Sequence, residues 1–534
     1  MANFFKLSAL LTITLSATLA LPATPLHGGI THKRQLSDEC QVEPYNETVA
    51  EQNFDAFDQS IADVYRYRQQ RSVNLGSWFV HENWLTPSLF TCASEPKVSE
   101  LDIAIGWGSQ DSARALLERH WDTFITADDF KYLADKGINT VRLPIGYWSL
   151  GPDFLNGTIF EPVSSVYKSS WNRVLRAIKQ AAEHGLGVLV DLHAAPGSQN
   201  GSEHSGVSDG TIGLFNDPFN IQKTMEMLEF ITKQVAGINN VVGLQILNEP
   251  QYTDSLEEFY NQAIDAVRNA TPLAKTLPLY LHDGFNLGRL AEYVSKRQDF
   301  VVQDHHAYFV FGDAGSKSAS DHTNDIVNQM SSALSDVASR QRGNLVVGEW
   351  SCALTPQSLE KEEDAEAAQK AFCEQQLNVY TNVTSGWAFW TFTKEGCEGD
   401  LGWCFKAALG KTLPSTFSST QDSETSRLST RLTKTLRSLF HPSSNIPHRF
   451  SATQMRRQTI ASFDTDTEDE SRIQGYSDGL DVAQTFAAAR STLGFVEQYI
   501  LDHMPPGAEL VVSEETRGHY SDGFLMGLKD GQAQ

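Results

Sequence analysis

Leu244-Gln245-Ile246-Leu247-Asn248-Glu249-Pro250 is a short apolar run that stops at an amide, a carboxylate and a proline. An apolar run of this length suits a strand buried on both faces, as in a parallel sheet. Pro250 cannot donate to a strand ladder, so the chain turns outward there and leaves Glu249 at the strand's C-terminal rim. Further along, Leu345-Val346-Val347-Gly348-Glu349-Trp350 repeats the pattern of an apolar strand ending in a glutamate.

Six more runs of this kind flank those two: Ser72–Leu75, Thr140–Leu143, Val188–Leu192, Leu279–Leu281, Phe300–Gln303 and Trp387–Phe389. Helical periodicity falls between them, over Asp128–Lys136, Lys168–His184, Ile221–Ala236, Leu256–Asn269, Thr323–Arg340 and Ser358–Tyr380. Strands alternating with helices in this way predict an α/β fold, a closed parallel (β/α)8 TIM barrel. An open, doubly wound sheet is the alternative, but no Gly-x-Gly-x-x-Gly follows the first strand. Polar residues at the C-terminal ends of barrel strands face one shared site. Here they are Arg142, then Asp191 and His193, Asn248 and Glu249, His282 and Asp283, Asp304 to His306 with Tyr308, Glu349, and Trp390. Two carboxylates brought to one rim are what cleavage of a glycosidic bond needs: one protonates the leaving oxygen, and the other attacks the sugar or activates water.

Composition narrows the partners. A net charge of −24 over 534 residues repels nucleic acid and suits a neutral ligand. Residues 1–20 read as a secretory signal, with Lys6 as the one charge, an apolar Leu7–Leu21 and a cut after Ala20. That run is too short for a full span, and no other stretch predicts stable membrane insertion. An N-terminal segment, 21–70, follows, with Lys33-Arg34 as a candidate pro-segment cut. Six cysteines (Cys40, Cys92, Cys352, Cys373, Cys397, Cys404) suit an oxidising compartment, and Cys397 and Cys404 are close enough to staple one loop. Sequons begin at Asn46, Asn156, Asn200, Asn269 and Asn382. The barrel is expected over 71–410. A Ser/Thr-rich flexible linker follows over 411–471, containing Arg456-Arg457, and then a small helical region over 472–534. Within that last region Tyr476-Ser477-Asp478-Gly479 recurs as Tyr520-Ser521-Asp522-Gly523, read as two similar turns.

From Ser72 to Trp403 the chain resembles glycoside hydrolase family 5, in particular its fungal exo-β-1,3-glucanases. The resemblance is carried by Val73-Asn74-Leu75-Gly76-Ser77-Trp78-Phe79, Asn139-Thr140-Val141-Arg142-Leu143-Pro144, Asp191-Leu192-His193-Ala194, Asn248-Glu249-Pro250, His306-Ala307-Tyr308, Gly348-Glu349-Trp350 and Trp387-Ala388-Phe389-Trp390. It implies a retaining enzyme with Glu249 as acid/base and Glu349 as nucleophile. The nucleophile should stay ionised beside Arg142, and the negative Glu349 should raise the pKa of Glu249. Retention places the two carboxyls about 5–5.5 Å apart, inversion about 6.5–9.5 Å. Asn248 is suited to the sugar 2-hydroxyl; His193, His306 and Tyr308 to the sugar or the carboxylates; Trp390 to the sugar face; and Glu82 to the non-reducing sugar.

Asp191 reads as a buried supporting residue. His305 and His306 point to opposite faces of a strand, so neither metal nor cofactor is assigned. The departures concern the cleft. His81 precedes Glu82 where the family has leucine. Phe311 matches one half of an aromatic clamp, while Ser202 stands where the other phenylalanine is expected and Glu203 where an aspartate is usual. Together these features imply a secreted, monomeric hydrolase of β-1,3-glucan, exo-acting, in fungal wall metabolism. The rival readings are a hydrolase or transglycosylase of β-1,6- or mixed-linkage glucan, and a wall protein that binds glucan without cleaving it.

Overall fold

A computed structural model describes residues 40–417, 467–504 and 517–532. The signal, the Lys33-Arg34 and Arg456-Arg457 pairs and most of the linker lie outside the described residues. Eight parallel strands close into a barrel in sequence order: β1 (Gln70–Asn74), β2 (Thr140–Gly146), β3 (Gly187–Ala194), β4 (Val241–Gln245), β5 (Leu279–His282), β6 (Val301–Ala307), β7 (Leu345–Trp350) and β8 (Gly386–Phe389). Helices return the chain between strands, and the (β/α)8 TIM barrel is established.

The differences from expectation have one main cause. Hydropathy ended β3, β6 and β7 before His193, His306 and Glu349, yet these residues lie inside the strands. Their side chains point into the barrel, where other polar groups receive them, so the ladder continues past the apolar run. β4 shifts the other way, starting at Val241 and ending at Gln245. Ile246 still donates its N–H to Tyr280 O at 3.0 Å, which carries Asn248 and Glu249 up the rim. The stretch read as one helix over Thr323–Arg340 is broken by a π-helical turn at Ile326–Met330.

The bottom of the barrel is closed by a helix within the N-terminal segment 21–70 and by part of the region read as helical over 472–534. Helix Gln59–Tyr67 buries Arg66, whose guanidinium donates to the carbonyls of Ala236, Val241 and Thr276 and so satisfies loop ends beneath β4 and β5. The segment 491–504 docks beside it. Gln69 N–H bonds Thr492 O at 2.8 Å, Tyr67 OH bonds Asp502 at 2.7 Å, and Asn344 donates to Gln498 at 2.8 Å. Phe495, fully buried, packs in one apolar cluster with Leu189, Val242, Tyr280, Val302 and Val346, the lowest layer of the barrel interior.

The repeated Tyr-Ser-Asp-Gly segments are not turns. They lie within two helices, Thr467–Ala488 and Arg517–Gln532, that run parallel in backbone contact. A β-carbon on Gly475 or Gly479 would collide with the carbonyl of Tyr520 or Phe524, and one on Gly523 or Gly527 with that of Arg472 or Tyr476. Glycine is therefore used here for close approach. Among the described residues no helix is long and apolar enough to cross a membrane.

Three disulfides form: Cys40–Cys92, Cys352–Cys373 and the expected Cys397–Cys404. Phe417 packs against Trp387 and Phe405, and its N–H bonds Lys136 O at 2.7 Å.

Candidate active site

Arg142 is the hub of the upper barrel. Its Nε donates to Gln245 Oε1 (2.7 Å) and its Nη1 to Asn74 Oδ1 (2.9 Å) and Glu349 Oε1 (2.8 Å). Its Nη2 donates to Asn248 Oδ1 (2.7 Å) and lies 3.0 Å from Asp191 Oδ2. Burial alone would lower the proton affinity of this guanidinium, but Asp191, Glu349 and Asp304 outweigh it and raise it. Arg142 is thus a permanent buried cation placed against Glu349.

Asp191 acts on His193, meeting Nδ1 at 2.6 Å, and burial pushes the Asp191 carboxyl up to about 7 despite Arg142. With Nδ1 donating, His193 Nε2 accepts from Asn248 Nδ2 at 3.2 Å. Burial, then His204 and Arg142, hold His193 neutral by pushing its pKa well down. The Asn248 amide is therefore oriented, with its oxygen on Arg142 and a second N–H left for a ligand.

His306 lies between the two glutamates. Its Nδ1 donates to Glu249 Oε1 at 2.7 Å and lies 3.5 Å from Glu349 Oε2, while Nε2 lies 3.2 Å from Asp304 Oδ2. Burial disfavours the imidazolium, but Glu349 and Asp304 win and raise its pKa to about 10. Asp304 is fixed by Gly348 N–H at 2.8 Å, an approach that needs glycine, since a β-carbon there would collide with the carboxylate. The 2.7 and 3.5 Å legs meeting at Nδ1 cap the separation of Glu249 Oε1 and Glu349 Oε2 at about 6.2 Å. Tyr308 OH donates to Glu349 Oε2 at 2.7 Å.

One expectation reverses here. Glu349 was to raise the pKa of Glu249, but the His306 imidazolium stands between them. Burial does push Glu249 up; the His306 hydrogen bond and the charges of His306, His204 and His282 overcome it and hold the carboxyl below its usual range. Glu249 itself has a positive φ of 42°, a strained backbone at the turn that Pro250 enforces.

The cavity above this floor has a volume of about 700 Å³. Glu82, His193, Asn248, Glu249, His306, Tyr308, Phe311, Glu349 and Trp390 all line it, and Arg142 lies beneath. Glu82 is pushed up to about 8 by enclosure and by neighbouring carboxylates, against the 2.8 Å bond it accepts from Trp84 Nε1. Trp390 lies parallel to His193 at 5.9 Å. His81 does not reshape this pocket: it is buried behind the wall, its Nδ1 2.6 Å from Glu100.

Trp84, His204, Phe285 and Trp403 also line the cavity and were not foreseen. Each sits on a loop, where no strand rhythm marks it. A sequence signal existed for two of them: Trp84 follows Glu82 closely, and Trp403 lies inside the Cys397–Cys404 staple. Phe285, 59% exposed, stands at the mouth with Phe311, 70% exposed, so Phe311 is not the mouth's lone aromatic. Nδ2 of the Asn200 sequon donates to Glu249 O at 3.0 Å, so a glycan there would be carried on the nitrogen that positions the glutamate.

Among the described residues, Glu249, His282 and His306 offer potential metal-ligand atoms within 4.8 Å of one another. His306 Nδ1 bonds Glu249 and His282 Nδ1 accepts from Gly284 N–H at 3.0 Å, while His282 Nε2 is buried without a hydrogen-bond partner. His305 points away from the site and meets Asp283 at 2.7 Å.

A barrel with a carboxylate pair on its C-terminal rim, a cationic floor and an aromatic-lined cavity defines a glycosidase-type site. The model of the cellulase family, glycosyl hydrolase family 5, matches residues 109–396, and the chain belongs to that family. It is 34% identical over 354 residues to glucan 1,3-beta-glucosidase 3 of Schizosaccharomyces pombe, covering 65% of this chain and 74% of the relative. It is also 34% identical over 368 residues to "probable glucan 1,3-beta-glucosidase A" of Aspergillus fumigatus, covering 62% of this chain and 84% of that protein. Among solved structures, the rutinosidase of Aspergillus niger shares the fold, at a TM-score of 0.51 and 19% identity over 64% of this chain and 96% of that one.

Proposed function

We propose that the chain is a retaining exo-β-1,3-glucosidase of glucan, with Glu349 as nucleophile and Glu249 as acid/base. The observation that carries this is His306 Nδ1, which lies within 3.5 Å of both carboxylates, so their facing oxygens are no more than about 6.2 Å apart, which supports the closer spacing of a double displacement. Glu349, fixed by Arg142 and Tyr308, attacks the anomeric carbon. The glycosidic C–O bond breaks as Glu249 gives its proton to the leaving oxygen, which leaves a glycosyl ester on Glu349. Water then attacks the same carbon, its proton passes to Glu249, and the ester is released.

Because the empty site holds Glu249 ionised, the proton is taken up as a bound sugar strips water from the carboxyl. This reading favours activity at acid pH. Asn248 contributes its remaining N–H to the 2-hydroxyl as charge develops, Trp390 faces the ring, and Glu82 contacts the non-reducing sugar. Phe311 bears on the acceptor side.

The names of the relatives support the β-1,3 linkage, and three disulfides support secretion into an oxidising compartment. A product profile on laminarin and pustulan tests the proposal. Glucose released from laminarin supports it, and inactivity on laminarin with turnover of pustulan replaces it with the β-1,6 reading. Binding of laminarin without turnover of any β-glucan would leave only a binding protein.

A further inference from the structure

We propose that His204 is a positioning residue that holds Oε2 of Glu249, the oxygen that exchanges its proton with the leaving sugar and then with water. The inference rests on Glu249 being the acid/base. His306 Nδ1 occupies Oε1 at 2.7 Å, so Oε2 is the oxygen left to meet the substrate. His204 Nε2 approaches that oxygen to 3.5 Å. The other ring nitrogen, Nδ1, is buried without a partner, so the Glu249 side is where the ring makes its polar contact.

The placement is rigid. His204 lies in the single turn Glu203–Ser205, pinned where Ser205 Oγ meets Ser198 Oγ at 2.7 Å and Ser202 O at 2.6 Å. Gly206 closes the turn with φ 97°, and a β-carbon there would collide with the Trp148 ring. The His204 ring meets His193 edge-on at 5.3 Å.

Several groups act on Glu249 together with His204. From β3 comes His193 with Asp191 behind it, from the end of β5 His282, from β6 His306, and from β7 Glu349 across His306. His204 differs from these in standing on a loop over the open cleft, beside the oxygen that carries the proton. Its Nε2 beside Oε2 favours the carboxylate over the acid, opposing uptake of that proton by the resting enzyme and stabilising the carboxylate left once the proton is delivered. Removing it therefore has a signed effect: Glu249 keeps its proton to higher pH.

The test uses the full chain with His204→Ala, His204→Gln and His204→Lys, each shown by its circular dichroism and melting profile to be folded. The pH dependence of kcat/KM is measured on laminaribiose and on a dinitrophenyl β-glucoside, whose leaving group needs no proton. Loss of this contact moves the alkaline limb for laminaribiose up by about one pH unit in the Ala and Gln variants, while Lys keeps it in place. The loss on laminaribiose should exceed that on the aryl glucoside by about tenfold. Equal losses on both substrates with an unmoved limb would overturn the proposal and leave a purely structural histidine. Glu249→Ala, run alongside, separates the two failures. If it keeps laminaribiose activity, the acid/base reading itself fails; if it loses that activity while the His204 variants behave as wild type, only the present inference fails.

Discussion

Replacing Phe495 with alanine separates the floor of the barrel from its chemistry. Phe495 is fully buried, its ring 5.1 Å from that of Phe300 at 70°, and it shares a cluster with the inward side chains Val242, Val302 and Val346. Truncating a buried phenylalanine costs about 3–5 kcal/mol, because lost transfer energy adds to the cavity left behind. Against a total stability of about 5–15 kcal/mol this is a large fraction. With an m-value of about 3 kcal/mol/M, the urea midpoint falls by about 1–1.7 M. The catalytic rim is at the other end of the strands, so kcat at room temperature should change by less than about twofold. Urea unfolding followed by tryptophan fluorescence, with steady-state kinetics on the same samples, reads both quantities. An unchanged midpoint would refute the reasoning, and so would a chain truncated before Thr467 that unfolds at the wild-type urea concentration. Either would mean that the C-terminal helices are an appendage and not the closure of the barrel.

Other expectations follow from single contacts. Tyr308→Phe removes the 2.7 Å hydrogen bond to Glu349 and should lower kcat/KM on aryl glucosides about 10–100-fold, the worth of a bond to a charged group; steady-state rates check it. Glu82, raised to about 8, is neutral below that pH and gains a negative charge beside Glu249 and Glu349 above it. KM for laminaribiose should therefore rise as pH passes through about 8 in the wild type, and the inflection should vanish in Glu82→Gln. Asn200 should be found without glycan by peptide mass mapping of secreted material, because its amide is bonded to Glu249 O at 3.0 Å.

Much of this was legible in the sequence because a parallel barrel writes its strands as bare apolar runs and its site as polar residues beyond them. Glu249, Glu349, Arg142 and Asn248 could be placed on one rim from that rhythm alone. The strand ends were misjudged where inward polar residues such as His193 and His306 continue a strand that hydropathy had already ended. The helix Gln59–Tyr67 was missed since its buried face includes Arg66, which reads as solvent-facing until its carbonyl partners are known. The four-residue glycine spacing at Gly475 and Gly479, and at Gly523 and Gly527, marks helices in backbone contact, but glycine beside aspartate reads first as a turn. The direction of the Glu249 shift was beyond sequence reasoning. It depends on which charged ring stands between two carboxylates, and adjacent His305 and His306 are told apart only by the strand face each takes.

In the proposed function Glu249 and Glu349 act as a double-displacement pair about His306. Proton NMR of the glucose released from an aryl β-glucoside, recorded before mutarotation, reads the new anomeric centre alone. β-Glucose is expected as the first product, with its loss in Glu349→Ala. First-formed α-glucose, or a Glu349→Ala variant that hydrolyses as fast as the wild type, would contradict it.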